Sequence, residues 1–185
     1  MRFSAHGFTL VELLVAISVM AILSVASFAK FAVLREDQYL KNASSEIQSF
    51  IRFAQTNATS NIACTPTLGG TPWTLTFSPD KIDLSCQGSS LKTLTLSNNI
   101  RICSINYSGC STSDACSPTA DTFTGSGLVT TAFSPLTGQI TFSDPRCTPA
   151  SGLAGSANMV ITLKKIGGSD TKPVTLSRGG SVEIK

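Results

Sequence analysis

Charge is scarce in this 185-residue chain. Asp, Glu, Lys and Arg make up 14% of it, against about 25% in an ordinary globular domain. Lys and Arg number 14 and Asp and Glu 11, a net charge of +3, too weak and too dispersed for a protein that coats nucleic acid by charge alone. Histidine is nearly absent: His6 is the single one, so a His-rich zinc site has no second ligand of its kind. No G-x-x-x-x-G-K-[ST] or G-x-G-x-x-G loop is present to cradle phosphates. No cysteine pair has the C-x-x-C spacing that thioredoxin-like redox chemistry needs. The acids Asp80, Asp83, Asp114, Asp121 and Asp144 sit mostly beside Ser, Pro or Gly, where side-chain capping of turns is the ordinary job. They offer no evident acid–base pair, and no D-x-D-x-D-G spacing marks Asp114 and Asp121 as calcium ligands. The expectation is a protein without enzymatic activity, cofactor or metal.

Hydroxyls replace the missing charge. Ser (26) and Thr (22) supply 48 residues, and this strand-favouring composition with six cysteines fits an oxidising compartment outside the cytosol. The length allows one ordinary domain, or a small domain with an appendage.

The apolar residues are concentrated at the N-terminus. After the polar prefix MRFSAHG, the run Phe8 to Ala29 holds 22 residues with Glu12 as its only charge, close to the ~20 that span a hydrocarbon core as a helix. A secretory signal peptide has a shorter apolar region and a small-residue cleavage site, so it fits poorly. The stretch GFTLVELLVAISVMAIL, with Gly7, Phe8, Thr9, Leu10, Glu12, Leu13 and Leu14 as the matched residues, resembles the leader junction of type IV pilins and of the pseudopilins of type II secretion. The resemblance implies that a prepilin peptidase cuts between Gly7 and Phe8 and that Phe8 is N-methylated. It also implies a partner for Glu12. A carboxylate in an apolar bundle is costly unless paired, and in that family it pairs with the N-terminal amine of a neighbouring subunit. Cleavage would remove His6, leaving no histidine for a nucleophile-activating base.

Beyond the apolar run the pattern becomes one-sided: Leu40, Ala43, Ile47, Phe50, Ile51, Ala54 and Ala58 recur at spacings of three and four, an amphipathic stripe. Pro66 is the only Pro or Gly between Phe8 and Gly69, so one helix is expected over 8–60, with 8–29 as its transmembrane or filament-core part. From residue 61 onward, short alternating runs predict about eight strands: 73–77, 81–85, 91–97, 100–107, 139–143, 158–165, 173–177 and 181–185. Ser177-Arg178-Gly179-Gly180 reads as a hairpin turn. The predicted fold is α+β, a lollipop in which the amphipathic helix covers one face of an antiparallel sheet or sandwich. Its parts are a leader (1–7), the helix (8–60) and a disulfide-containing β-rich head (61–185). Trp73, Phe77, Tyr107, Phe123, Phe133 and Phe142 alternate with polar residues, as core aromatics do.

The segment Ala132–Asp144, with a turn at Phe133, Pro135 and Gly138, followed by ITLKK and the terminal hairpin VTLSRGGSVEIK, is similar to the carboxyl half of minor pilins of the FimT, FimU and GspH group. That resemblance implies a minor pilin acting in filament initiation or at the tip, or a GspH-type pseudopilin. It implies the inner membrane as its place, with the head in the periplasm and then in a filament, and prepilin peptidase and other pilins or pseudopilins as partners. FimT members capture DNA through a GRxR tail. Here the matching stretch is Gly179-Gly180-Ser181-Val182-Glu183 and the motif is missing; Lys164, Lys165, Lys172, Arg178 and Lys185 remain as cations that could meet phosphates. The cysteines, Cys64, Cys86, Cys103, Cys110, Cys116 and Cys147, all fall in the head. Three disulfides are expected, their connectivity open. At least one should staple the long polar loop around 108–127, which a surface adhesin would use as its contact.

Overall fold

The computed structural model describes residues 9–60, 72–97, 99–110, 112, 114–116, 121–147 and 158–184, except the side chains of 25–34, 115, 121 and 122. Helix α1 runs Leu10–Thr59, within a residue or two of the stretch free of Pro and Gly. Contacts divide the chain into two compact units, Met1–Gln38 and Tyr39–Lys185.

In the second unit, the strands are β1 (Trp73–Phe77), β2 (Lys81–Cys86), β3 (Ser89–Thr95), β4 (Ile100–Tyr107), β5 (Ala115–Cys116), β6 (Asp121–Thr122), β7 (Thr130–Phe133), β8 (Ile140–Ser143), β9 (Asn158–Lys165), β10 (Thr171–Ser177) and β11 (Val182–Ile184). They form a five-stranded sheet in the order β3-β2-β1-β7-β8, a four-stranded sheet β11-β10-β9-β4, and the small pair β5-β6. Every pairing is antiparallel. The architecture is the expected α+β. Eight strands stand where they were expected; β5, β6 and β7 exceed the count. The first two are only two residues long, and β7 only four.

Alternation buries one face of each sheet. Trp73, Leu75 and Phe77 of β1, Ile82 and Leu84 of β2, Met159, Ile161 and Leu163 of β9 and Val174 and Leu176 of β10 meet the helix stripe in one core. All seven stripe residues are buried, from Ile47 at 0% exposure to Phe50 at 5%. In β4 the apolar residues Ile100, Ile102, Ile105 and Tyr107 break period two. A bulge between Ile102 and Ser104 restores it: Ile102 opposes Leu163 and Ile105 opposes Ile161, with Cys103 as the extra residue.

Two hairpin turns press on the end of α1. In the β7–β8 turn, Leu136 N–H donates to the Ala58 carbonyl (3.1 Å), satisfying a last-turn acceptor. Gly138 there has φ 63°, and a Cβ would stand 2.6 Å from Thr59 Cγ2. In the β10–β11 turn, Gly180 has φ 90°, a left-handed conformation that favours glycine, and lies against the end of the Gln55 side chain. Ile140 N–H reaches the Arg178 carbonyl (3.4 Å), tying the two hairpins together.

Candidate functional site

The first place of interest is the start of α1. Thr9 is its N-cap: the Glu12 N–H donates to Thr9 Oγ1 (3.3 Å), while Thr9 N–H and Oγ1–H donate to Glu12 Oε2 at 3.1 and 3.0 Å. This reciprocal capping box satisfies two helix-end donors. Beyond it the large apolar side chains are exposed, Leu10 at 80%, Leu13 at 60%, Met20 at 67% and Leu23 at 63%. Ser18 and Ser24 turn their hydroxyls back onto the carbonyls of Leu14 (2.8 Å) and Met20 (2.7 Å), so these two hydroxyls are satisfied within the helix. Among the described residues no helix is long and apolar enough to cross a membrane. Of the stretch expected to span, Phe8 and the side chains of 25–29 lie outside the described residues, as does Gly7.

The second place is the cysteine-rich segment. Cys103 bridges Cys116 and Cys110 bridges Cys147, each with Cα atoms 5.4 Å apart. Cys86 is also disulfide-bonded, no described cysteine is free, and Cys64 lies outside the described residues. Beside the bridges, Arg146 joins three segments. Its Nη1 lies 2.6 Å from Asp114 Oδ1 and 3.1 Å from Thr124 Oγ1; its Nε and Nη2 clasp both oxygens of Asp144 at 2.9 and 2.7 Å. Both carboxylates have 0% side-chain exposure, and the guanidinium 13%. Asp114 Oδ1 also accepts from Thr124 N–H and Oγ1–H, and its Oδ2 from Ile105 N–H. Burial alone would raise the Asp114 pKa, but these donors outweigh it and hold the carboxyl below its ordinary value. Burial likewise opposes the Arg146 charge, and the two carboxylates more than compensate, pushing its pKa up. Phe123 lies under the guanidinium, 5.5 Å from its centre. Gly125 is where it must be, since a Cβ would meet the guanidinium carbon at 2.5 Å.

This arrangement settles what Asp114 and Asp144 do. Each is saturated by donors from its own chain and serves to pin a loop, and the described residues hold no group of three or more metal-ligating side chains. The Asp121 side chain is outside the described residues. Arg146 was not singled out from the sequence; the signal available was a lone Arg two residues after Asp144 and next to Cys147 in a charge-poor chain.

The five C-terminal cations are dispersed. Lys164 is buried at 3% exposure and is therefore not a surface contact. Lys165 and Lys172 lie at one end of the β9–β10 pair and Arg178 past the other; Lys185 is outside the described residues. A further cation, Lys92 on the edge strand β3, lies over Phe53 (4.7 Å) and Phe50 (5.9 Å). A charged residue of this kind guards an open sheet edge.

Residues 2–28 match the family described as the prokaryotic N-terminal methylation motif. Gly7, Phe8 and Glu12 lie inside the match, so the chain carries a type IV pilin-like leader. No curated protein and no solved structure matches the chain.

Proposed function

We propose that this protein is a minor pilin, a non-enzymatic subunit that helps start or cap a type IV pilus. The observation that carries the reading is the methylation motif at residues 2–28, followed by an exposed apolar helical segment and a disulfide-bonded β-rich unit. In this reading the precursor sits in the inner membrane with Arg2 and His6 on the cytoplasmic side, as the positive-inside tendency expects. Prepilin peptidase removes 1–7 and Phe8 is methylated. The apolar segment then moves from lipid into a bundle of like helices, where Glu12 is neutralised by a neighbouring subunit's terminal amine. A GspH-type pseudopilin would use the same steps in a secretion system. A DNA-uptake role has less support, because the GRxR tail is missing and Lys164 is buried.

The test is mass spectrometry of the mature N-terminus in hosts with and without prepilin peptidase. Cleavage after Gly7 with one methyl added to Phe8, only where the peptidase is present, is the expected result. An intact Met1 in both hosts overturns the proposal.

A further inference from the structure

The two bridges join cysteines that are not the nearest along the chain. Cys103, Cys110 and Cys116 fall within fourteen residues, so closing the shortest loops would pair Cys110 with Cys103, seven residues before it, or with Cys116, six after it. The observed pairs are instead separated by 13 and 37 residues. Loop-closure entropy grows with the logarithm of loop length, which sets Cys110–Cys147 about fifteenfold behind Cys110–Cys116. Something other than proximity along the chain selects the pairs.

Asp114 stands between both choices. Its Oδ2 accepts from Ile105 N–H (3.3 Å). With the two segments running in opposite directions, a contact between 105 and 114 places 103 opposite 116, the observed pair. Thr112 strengthens this tether, its Oγ1 lying 3.2 Å from the Ile105 carbonyl and 2.7 Å from Asn106 Oδ1. The other oxygen of Asp114, Oδ1, takes the Arg146 guanidinium at 2.6 Å, and Arg146 is the residue before Cys147. The turn that carries Cys147 is held by Asp144: its Oδ1 accepts from Arg146 N–H (3.0 Å) and its carbonyl from Cys147 N–H (3.1 Å). On the other side, Cys110 N–H donates to the Tyr107 carbonyl (3.4 Å), which fixes Cys110 at the end of β4. One buried carboxylate therefore touches the neighbours of both bridges.

We propose that Asp114 and Arg146 form a non-covalent template that selects the disulfide pairs of this unit: one carboxylate oxygen registers Cys116 with Cys103, and the other, through Arg146, brings Cys147 to Cys110. Each bridge forms when a cysteine thiolate attacks the disulfide of an oxidant such as glutathione disulfide and releases one thiol. The partner thiolate then displaces the second, so two electrons pass to the oxidant, which leaves as two thiols. A mispaired bridge is undone by attack of a third thiolate of the chain, one S–S bond forming as another breaks, with no net oxidation. The template biases that exchange towards the pairs that leave both buried carboxylates with their donors.

The test reoxidises the reduced full chain in detergent with glutathione and glutathione disulfide, and maps the bridges by mass spectrometry of unreduced digests. The wild type should recover Cys103–Cys116 and Cys110–Cys147. In Asp114→Asn and in Arg146→Met, Cys103–Cys110 and Cys110–Cys116 should rise about tenfold, as the loop-length bias is no longer opposed. Cys86, disulfide-bonded in the wild type and not part of either bridge, serves as the control within the same molecules and should keep its wild-type pairing. Unchanged maps in both variants overturn the template. Equal scrambling of the Cys86 bridge also overturns it, because general loss of folding then accounts for the mispairing.

Discussion

The two parts of α1 use apolar residues in opposite ways. Between Leu10 and Leu23 the large apolar side chains cover the helix and are exposed. Between Leu40 and Ala58 they are confined to a stripe and are buried against two sheets. The same helix-forming tendency therefore produces one segment that is complete within the chain and another that needs lipid or other helices to cover it. Glu12 sharpens the contrast. In the exposed segment, among the described residues, its carboxylate accepts from Thr9 of the same turn, whereas the buried carboxylates of Asp114 and Asp144 are clasped by Arg146.

The largest effect is expected on assembly. Glu12→Gln should remove the subunit from sheared filament fractions while leaving the thermal melting of the β-rich unit unchanged; normal incorporation would break the contrast between the two segments. Arg146→Ala comes next, because it leaves two buried carboxylates without their cation: a loss of about 3–5 kcal/mol is expected, read from denaturant midpoints. Ile47→Ala should cost about 2–5 kcal/mol by opening a core cavity, whereas Leu14→Ala, on the exposed segment, should stay within about 0.5 kcal/mol. Equal losses from both would mean that the segments are not separate in stability.

The smallest effect is a pH dependence. The pKa of Asp114 is lower in the folded state than in the unfolded one, so the unfolded chain binds more protons and stability rises with pH through this range. The contribution is complete above about pH 5 and fades as acidity approaches the folded value. Melting of the wild type against Asp114→Asn checks it: the wild type should lose more stability between about pH 5 and pH 2. Identical slopes would show that the carboxylate is not held ionised by its donors.

Much of the fold was legible because it rests on periodicity. The stripe from Leu40 to Ala58 was read residue by residue, and eight of the strands were read close to their observed bounds. What escaped has a common cause. The β4 bulge at Cys103 breaks period two locally and is restored only by its partner strand. Leu136 adopts φ 66°, a left-handed conformation that nothing in its side chain favours; its N–H is held by the Ala58 carbonyl instead. Among the candidate sites, the leader residues were legible because their signal is short and contiguous. The Arg146 cluster was not, since its members come from positions 105 to 146.

By itself, the sequence determined where helix and strands lie, which helix face is apolar, and that the N-terminal segment carries a methylation motif with one carboxylate, because each of these depends on neighbours within a few residues. Only the tertiary structure decided that Cys103 pairs with Cys116 and Cys110 with Cys147, that Lys164 is buried, that Asp114 and Asp144 share one arginine, and that Tyr39 and Lys165 line one cavity. Those outcomes depend on which distant strands pair and in which register, and the free energy that selects the register comes from burying the whole apolar face at once.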